Sequence, residues 1–332
     1  MNYRTLGKTG LTVSELGMGG LFVSSFAAAR EEGCRAVRRA LELGINYVDT
    51  APGYHDSEEV MGEALDGVEQ PYVLSTKLGG RPQPFDAQDI DALRFSVEES
   101  LRLLRRETID ILMIHEPDRP GQYDWFPDWE RFHGPVVELL AELKAQGVIR
   151  YTGLGGTTAY TLPHIIATGQ YDVVLTAFNY SLLWREAEIA VLPEAKKQGM
   201  GIIIGSPLQQ GALARCYVDE VDHGARWLSP PRRAQFKRLY ALVDELGAEQ
   251  GPTTLPELAL RFVLSNPDVS TVLSGARSVA EVEANVRSAE KGPLPGDVLD
   301  AIQDIADMVP FRPFEEPFGL PFTRPYKGPG HA

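Results

Sequence analysis

The sequence has little cysteine and lacks any long hydrophobic run. Its two cysteines, Cys34 and Cys216, are too few for a disulfide framework in a chain of 332 residues, which fits a reducing compartment. No apolar stretch approaches the ~18 residues that a membrane-spanning helix needs, and the first residues, MNYRTLGKTGL, contain no apolar signal core. We therefore expect a cytoplasmic protein without a membrane partner.

Positive charge is also scarce, and several catalytic signatures are missing. The formal net charge of −14 argues against nucleic acid as a partner. No serine, histidine and acid follow the spacing of a nucleophile elbow, which disfavours acyl transfer. The histidines are scattered without metal-ligand spacing, so we expect no metal site. They are His55, His115, His133, His164, His223 and His331.

What the sequence does contain is a regular alternation of short apolar strands and amphipathic helices. After a hairpin-like pair of runs around residues 7–10, a strand near residues 15–20 opens a series of eight strand–helix units. The other predicted strands cover residues 45–48, 72–76, 109–114, 148–153, 172–177, 201–205 and 269–273. The predicted helices cover 31–43, 58–66, a long segment from Asp86, 135–146, 159–167, 186–198, 232–246, 255–264 and 279–290.

Strands that are apolar on both faces and are each followed by a helix predict an α/β fold, a (β/α)8 TIM barrel with an N-terminal β-hairpin. We expect residues 1–332 to form a single domain, because barrels of ~250 residues or more form one. A doubly wound sheet is the alternative. However, the segment Gly17-Met18-Gly19-Gly20 lacks the GxGxxG spacing that is typical after the first strand of such a sheet.

Two predicted loops and the C-terminal segment stand out by their length and their aromatic residues. Loops 116–135 and 209–232 are too long for simple connectors, and they follow the carboxyl ends of strands, where barrel enzymes carry their sites. Packing of the loops themselves is the other explanation for their aromatic residues. Residues 310–332 form a tail rich in proline and aromatics, which we expect to be pinned or to contribute to a lid.

Three successive predicted strands end on titratable residues. Strand 45–48 runs into Asp49, strand 72–76 into Lys77, and strand 109–114 into His115. Tyr54 lies in the loop after Asp49. Because these strands are neighbours in a barrel, the four side chains are expected to converge at one rim. Taken singly, each has a structural alternative: an ordinary ion pair, a strand-end cap or a half-buried loop tyrosine.

Together the four side chains suit proton transfer to an oxygen atom. A tyrosine phenol has a pKa near ~10 in water. The charge of Lys77 is expected to lower the pKa of Tyr54, with Asp49 holding the lysine charged and oriented. A neutral His115 would donate a hydrogen bond to a carbonyl or an alcohol. The set therefore predicts a reaction at an oxygen whose carbon gains or loses a hydride.

The same stretches resemble the aldo-keto reductase family from one end of the chain to the other. The similar segments are the hairpin with GMGG, GINYVDTAPGYHDSEEVMGEAL, STK ending at Lys77, and ILMIH ending at His115. The resemblance implies a barrel closed at one end by the hairpin, an extended NAD(P) cofactor, and Tyr54 as the acid–base residue. It also implies that Lys77 and Asp49 support the tyrosine and that His115 orients the substrate.

The resemblance implies a set of cofactor-binding residues as well. These are Gly19, Gly20, Asp49, Gly155, Gly156, Ser206, Leu208, Gln210, Gly275, Arg277, Glu281 and Asn285. In three places the chain departs from the family pattern: Gly205 replaces a stacking tyrosine, Gly155-Gly156 a Ser-Asn pair, and Leu175 a glutamine. For the substrate pocket we name Phe22, Trp125, Tyr180 and Trp184.

These departures, with the run His115-Glu116-Pro117-Asp118, resemble the branch of aldose and galactose-type sugar 1-dehydrogenases and pyridoxal dehydrogenase, many of which prefer NAD. We therefore expect an enzyme that interconverts a carbonyl and an alcohol, acting on a small-molecule carbonyl or sugar. A carboxylate at Glu281 predicts a modest NAD preference or dual use, since it repels a 2′-phosphate. The alternatives are a broad NADPH-dependent aldehyde or ketone reductase, a cofactor-sensing module like the channel-associated β-subunits, and a barrel isomerase. The oligomeric state stays open.

Overall fold

The chain begins with an antiparallel hairpin, and a closed barrel of eight parallel strands follows it. The computed structural model describes residues 1–224, 227–251, 253–313, 316, 317, 320 and 322. The hairpin consists of β1 (Tyr3–Thr5) and β2 (Thr12–Ser14). The barrel strands are β3 (Leu16–Gly19), β4 (Tyr47–Asp49), β5 (Val73–Leu78), β6 (Ile109–His115), β7 (Ile149–Gly156), β8 (Val173–Ala177), β9 (Gly201–Gly205) and β10 (Thr271–Gly275).

The barrel strands follow chain order around the ring, and β10 pairs with both β9 and β3 to close it. Helices cover the outside of the ring. The predicted TIM barrel with an N-terminal hairpin is therefore confirmed. The helices are α1 (Arg30–Glu42), α2 (Ser57–Ala64), α3 (Ile90–Leu104), α4 (Pro135–Ala145), α5 (Leu162–Ile166), α6 (Glu186–Ile189), α7 (Val191–Lys197), α8 (Val218–His223), α9 (Pro230–Gln250), α10 (Leu255–Leu264), α11 (Val279–Glu290) and α12 (Gly296–Asp307).

Local backbone chemistry explains where the helices differ from the sequence-based expectation. The Asp89 side chain accepts hydrogen bonds from the backbone N–H groups of Asp91 and Ala92, so α3 begins at Ile90 and not near Asp86. The segment expected as one helix over 186–198 is divided at Ala190, whose φ of −144° is not helical. The helices α8 and α12 were not predicted at all.

The hairpin covers the amino-terminal end of the barrel. The backbone N–H of Lys8 donates a hydrogen bond to the carbonyl of Gly199 at 2.7 Å. Leu6 is fully buried and belongs to the apolar cluster inside the barrel. Gly7 has a φ of +49°, and a Cβ atom there would lie 2.2 Å from the backbone nitrogen of Gly201, so this close approach requires glycine. The hairpin leaves the opposite end of the barrel, at the carboxyl ends of the strands, uncovered, and a functional site can lie there.

The described part of the C-terminal tail packs against the long loop and the helix that follow β9. Glu316 accepts hydrogen bonds from the Arg232 guanidinium at 2.8 and 2.9 Å, and both side chains are fully buried. The ring of Phe322 packs against Tyr217, Trp227 and Phe236. These contacts agree with the expected pinned segment, while most of the expected tail, 310–332, lies outside the described residues. Among the described helices, none is long and apolar enough to cross a membrane.

Candidate active site

The carboxyl-terminal ends of three neighbouring strands bring the predicted polar residues together. Asp49 is the last residue of β4, Lys77 lies near the end of β5, and His115 is the last residue of β6. Asp49 of β4 pairs with Ser75 of β5. Lys77 lies two residues after Ser75, so its side chain points to the same face of β5. Tyr54 lies in the turn after β4, where its N–H donates to the carbonyl of Ala51 at 3.1 Å.

The distances define a compact tetrad. Lys77 Nζ donates to Asp49 Oδ2 at 2.7 Å and to the carbonyl oxygen of Thr50 at 2.8 Å. The same nitrogen lies 4.9 Å from the centroid of the Tyr54 ring. The rings of Tyr54 and His115 meet edge to face, with 5.7 Å between centroids and an interplanar angle of 81°. One side chain from each of four successive segments thus faces the same point.

A chain of hydrogen bonds holds Asp49 from below. Ser75 Oγ donates to Asp49 Oδ1 at 2.7 Å, and the hydroxyl of Tyr47 donates to Ser75 Oγ at 3.0 Å. Neither residue was singled out in the sequence. The period of two along β5 places Ser75 on the same face as Lys77, which is the signal that would have found it. The two oxygens of Asp49 therefore have separate partners, which fixes the carboxylate beneath Lys77.

The protonation of Tyr54 differs from the expectation. Burial raises the pKa of its phenol, and the nearby Lys77 charge and hydrogen bond, which both lower it, do not overcome this. Burial alone would lower the pKa of Lys77, but Asp49 and Tyr54 together raise it. The Lys77 charge by itself predicts a lowered pKa for Tyr54, but burial has the larger effect. With burial included, Tyr54 is a neutral phenol and Lys77 an ammonium at neutral pH.

His115 is neutral as well. Burial, with a smaller contribution from the Lys77 charge, lowers its pKa to about 3. Its Nδ1 atom is buried and has no hydrogen-bond partner within the part of the chain that the structure describes. The indole Nε1 of Trp125 donates to the backbone carbonyl of His115 at 2.8 Å. The Trp125 bond fixes the backbone at His115, and the imidazole ring itself packs edge to face against Tyr54.

An aromatic wall stands beside His115. It consists of Phe85, Tyr123 and Trp125, whose ring centroids lie 5.3 to 5.6 Å apart. The Tyr123 ring lies 6.3 Å from the His115 ring. Gly79 lies beneath the wall, since a Cβ atom there would be 3.0 Å from the Trp125 ring. Trp125 was named for the substrate pocket, whereas Phe85 and Tyr123 were missed because they lie in segments without periodicity.

Several non-glycine residues around the tetrad have left-handed backbone conformations. His55, directly after Tyr54, has φ +51°; Glu116, directly after His115, has φ +49°; and Ser206, directly after β9, has φ +54°. Such conformations are uncommon and carry an energetic cost outside glycine. Backbone strain of this kind is frequent at functional sites, and these three residues follow the carboxyl-terminal ends of β4, β6 and β9.

Glycines bring the ends of β3 and β10 close to their neighbours. A Cβ atom on Gly20 would lie 2.5 Å from Ser57 Oγ, so no side chain fits there. On the other side, a Cβ atom on Gly275 would lie 2.5 Å from the ring of Phe22, which therefore covers Gly275. Gly19 pairs with both Asp49 and Gly275 in the barrel register. The ends of β3 and β10 therefore lie between Asp49 of the tetrad and the start of α11.

The end of β7 also carries two glycines. A side chain at Gly155 would contact Lys77, whose Cε lies 3.5 Å from the added Cβ position. At Gly156 a Cβ atom would lie 2.7 Å from the Leu162 side chain and 2.9 Å from Asp118 Oδ2. The Asp118 carboxylate is buried there and accepts the backbone N–H groups of the two following threonines, Thr157 and Thr158. Packing around Asp118 thus requires glycine at position 156.

The loop after β9 is fixed by a glutamine that was not predicted. Gln209 is fully buried, and its Nε2 donates to Ser181 Oγ at 2.9 Å and to the carbonyl of Phe178 at 3.3 Å. The predicted residues Ser206, Leu208 and Gln210 lie around this anchor. At Gly205 a Cβ atom would lie 3.0 Å from Leu175 Cδ2. Gly205 and Leu175 both differ from the family pattern, and they are neighbours in the structure. The Leu175 side chain occupies part of the space that a side chain at position 205 would need.

Acidic side chains surround the start of α11. Glu281 accepts hydrogen bonds from the Arg277 guanidinium at 2.5 and 3.0 Å and from the Arg277 backbone N–H at 2.8 Å. Burial would raise the pKa of Glu281, but these bonds lower it. Glu32 of α1 reaches the same helix end, where its Oε1 accepts the backbone N–H of Val279 at 3.3 Å. Asn285 is buried one turn further along α11.

The comparisons with known proteins agree with this geometry. A sequence profile described as "Aldo/keto reductase family" matches residues 15–307. The chain belongs to the aldo/keto reductase family. It is an NAD(P)-dependent oxidoreductase, as its resemblance implied.

Two relatives and one solved structure illustrate the similarity. The chain is 31% identical to L-galactose dehydrogenase of Arabidopsis thaliana, over 85% of this chain and 86% of that protein. It is 30% identical to NADH-specific methylglyoxal reductase of Escherichia coli, over 85% and 91%. Aldo-keto reductase AKR11C1 from Bacillus halodurans, in its holo form, superposes with a TM-score of 0.77 at 28% identity, covering 94% of this chain and 98% of that one.

Two of the residues named for the substrate pocket have other surroundings. The Tyr180 ring packs against Phe262 of α10, and its hydroxyl accepts a hydrogen bond from Asn266 at 3.1 Å. Trp184 is fully buried beneath the guanidinium of Arg232, 4.7 Å from its ring. Both residues follow β8, and a sequence does not show whether a loop aromatic turns inward or outward. We therefore correct both assignments to structural packing.

The residues at the tetrad fit the nicotinamide cofactor that the aldo/keto reductase family implies. Gly19 and Gly275 are partly exposed at the ends of β3 and β10. The buried His115 Nδ1 is an unpaired polar atom next to Tyr54 within the described chain. Polar side chains also occur in the loop after β9 and at the start of α11. No group of histidine, cysteine, aspartate and glutamate that could hold a metal ion occurs in the described residues.

Proposed function

We propose that this aldo/keto reductase is an aldose dehydrogenase that oxidises a sugar at its hemiacetal carbon. The observation that carries the reaction type is the tetrad, in which Lys77 Nζ lies 2.7 Å from Asp49 and 4.9 Å from the Tyr54 ring. The sugar as substrate is supported by the similarity to L-galactose dehydrogenase. When bound, a nicotinamide cofactor would supply or take up the hydride.

Tyr54 is proposed as the group that holds the transferred proton. In the direction of reduction its neutral phenol donates a proton to the carbonyl oxygen. In the direction of oxidation its phenolate accepts the hydroxyl proton, and the Lys77 charge stabilises that anion. Asp49 keeps Lys77 charged and in place. A neutral His115 orients the reacting oxygen by a hydrogen bond.

The cofactor residues are proposed from their placement along the rim. Ser206, Leu208 and Gln210 would hold the pyrophosphate, and Arg277 with Asn285 would hold the adenosine. At Gly205 the chain offers no ring to stack on the nicotinamide, and Leu175 fills part of that space. An apolar contact from Leu175 would then take the place of aromatic stacking.

We further propose that the enzyme prefers NAD over NADP. The 2′-phosphate of NADP would have to compete with Glu281 for the Arg277 guanidinium, which already has two hydrogen bonds to that carboxylate. Glu32 adds a second carboxylate at the start of α11, where an anion would otherwise be favoured. A ribose hydroxyl suffers neither repulsion, and it can donate a hydrogen bond to a carboxylate.

A second candidate function is the reduction of small aldehydes. The similarity to a methylglyoxal reductase supports it, and the raised pKa of Tyr54 keeps the phenol protonated, as a proton donor requires. We also propose a cytoplasmic location and no nucleic-acid partner, on the grounds of the two cysteines and the net charge of −14.

A cofactor titration followed by a substrate panel tests these proposals. Quenching of tryptophan fluorescence by NADH and NADPH should give a lower Kd for NADH. Aldoses with NAD, and aldehydes with NADH, should then both turn over, with the higher kcat/KM on an aldose. Turnover of aldehydes alone would favour the reductase. Cofactor binding without turnover of any carbonyl or sugar would instead indicate a binding module.

A further inference from the structure

Tyr123 is an aromatic residue beside the tetrad to which the proposed mechanism gives no role. Its ring centroid lies 6.3 Å from that of His115, and the two ring planes are inclined by 31°. A Cβ atom on Gly79 would lie 3.4 Å from both the Tyr123 ring and His115 Cβ. A Cβ atom on Gly80 would lie 3.4 Å from the Tyr123 hydroxyl oxygen and 3.9 Å from Cα of Gly53. Tyr123 therefore lies next to His115 and close to the turn that carries Tyr54.

The three residues of the aromatic wall differ in their exposure. Trp125 is only 1% exposed, and its indole N–H already donates to the carbonyl of His115. Phe85 and Tyr123 are partly exposed, as are Tyr54 and His115. Trp125 is therefore a supporting member of the wall, whereas Tyr123 keeps ring surface that a substrate at the tetrad can contact.

Hydrogen bonds and ring packing fix the segment around Tyr123. The backbone N–H of Gly121 donates to Asp124 Oδ1 at 2.8 Å, and Gln88 Nε2 donates to the carbonyl of Asp124 at 2.5 Å. The ring of Phe85 meets that of Tyr123 edge to face at 5.3 Å between centroids. A side chain that is already ordered loses little conformational freedom when a ligand binds, so its contacts contribute more to affinity.

The strand order places the wall across the barrel from the proposed cofactor residues. Phe85 follows β5 and Tyr123 follows β6, whereas Ser206 follows β9 and Arg277 follows β10. In the closed ring β5 lies opposite β9, and β6 lies opposite β10. A dinucleotide on the side of β9 and β10 would therefore leave the wall free for the substrate.

We infer that Tyr123 is a specificity-determining residue whose ring packs against a ring of the substrate, so that the site favours cyclic substrates over open chains. A flat aromatic face makes many atomic contacts with a ring at once. An open chain has to lose the freedom of its rotatable bonds to make as many. The hemiacetal form of a sugar supplies such a ring, with C–H groups that suit an aromatic surface. This inference rests on the proposed function, because it concerns the same site.

The test compares a cyclic and an open-chain aldehyde with the same number of carbon atoms. Cyclohexanecarbaldehyde and heptanal are reduced with NADH by wild type, Y123F and Y123L. Wild type should prefer the cyclic aldehyde in kcat/KM by about threefold to tenfold, the range of one aromatic contact. Y123F keeps the ring and should keep this preference, whereas Y123L should lose it. Phe95 of α3, which is 47% exposed on the outside of the barrel, supplies the control, since F95L should keep the wild-type ratio.

Oxidation of the best aldose of the panel with NAD gives a second measurement. If Tyr123 contributes a binding contact, Y123L should raise KM about threefold or more and change kcat little. If Tyr123 only supports His115, Y123L should instead lower kcat at an unchanged KM. An enzyme that oxidises aldoses but accepts neither aldehyde is judged by this split alone.

The outcomes separate this inference from the proposed function. Equal kcat/KM for both aldehydes in wild type, a preference that persists in Y123L, or a loss of kcat at unchanged KM would overturn the role of Tyr123 alone. A wild type without turnover of any carbonyl or sugar would overturn the proposed function and this inference with it. NADH binding, followed by fluorescence, checks that each variant is folded, and Y123M, which also lacks the ring, replaces Y123L if that variant does not fold.

Discussion

Replacing Lys77 with methionine tests how the tetrad is held together. The lysine is 1% and Asp49 3% exposed, and their atoms lie 2.7 Å apart. Removing one partner of such a buried pair costs about 3–5 kcal/mol, because the other charge is left uncompensated. Asp49 keeps its hydrogen bond from Ser75. We therefore expect Lys77→Met to lower the free energy of unfolding by about 3 kcal/mol, the lower end of that range.

The same variant should lose activity for a separate reason. The Lys77 charge lowers the pKa of Tyr54, so its removal raises that pKa further. Oxidation needs the phenolate and therefore increases with pH, and in Lys77→Met this increase should move to higher pH. Proton transfer by a positioned side chain contributes about 10²–10⁴-fold to the rate. We expect kcat for oxidation to fall by about a hundredfold or more at neutral pH.

A double variant separates the two effects. In Lys77→Met/Asp49→Asn no uncompensated charge remains, so most of the lost stability should return, while the activity should not. Urea unfolding and the pH profile of kcat measure the two quantities. Lys196→Met, at an exposed ion pair with Asp268, is the matched control and should change both little. A double variant no more stable than the single one, or an unshifted pH profile in Lys77→Met, would refute this reasoning.

Three further variants test other parts of the account. Glu281→Gln should shift the ratio of catalytic efficiencies towards NADP by about tenfold, since it frees the Arg277 fork for a phosphate; an unchanged ratio would show that Glu281 does not act on the ribose. His115→Ala should lower kcat towards carbonyls and alter the substrate profile while NADH binding stays; an unchanged profile would count against orientation of the substrate. Arg232→Met should destabilise the protein by about 3–5 kcal/mol in urea unfolding, because Glu316 is left buried and unpaired; a change below about 1 kcal/mol would show that the tail does not depend on this pair.

The barrel and the tetrad were accessible from the sequence because both follow from order along the chain. Short apolar strands that alternate with helices specify a barrel, and consecutive strands that end on Asp49, Lys77 and His115 must then bring these residues to one rim. Tyr54 could be placed with them because only a short turn separates it from Asp49. These residues could be placed without knowing which way a loop side chain points.

Whatever depends on loop geometry or burial was harder to predict. The wall residues Phe85 and Tyr123, and the anchor Gln209, lie in segments without periodicity, so no pattern marked them. Tyr180 and Trp184 were assigned to the pocket, but they turn into the packing around α9 and α10. The raised pKa of Tyr54 depends on burial, which outweighs the charge of a lysine that the sequence did reveal.

The central claim, that Tyr54 carries the transferred proton, is tested most directly by Tyr54→Phe. The variant loses only the phenolic hydroxyl and keeps the ring that packs against His115. NADH affinity, measured by fluorescence titration, should stay within about twofold, whereas kcat should fall by about 10²-fold or more for the best substrate of the panel. A Tyr54→Phe enzyme that binds NADH and turns over substrate at a rate close to wild type would contradict the account.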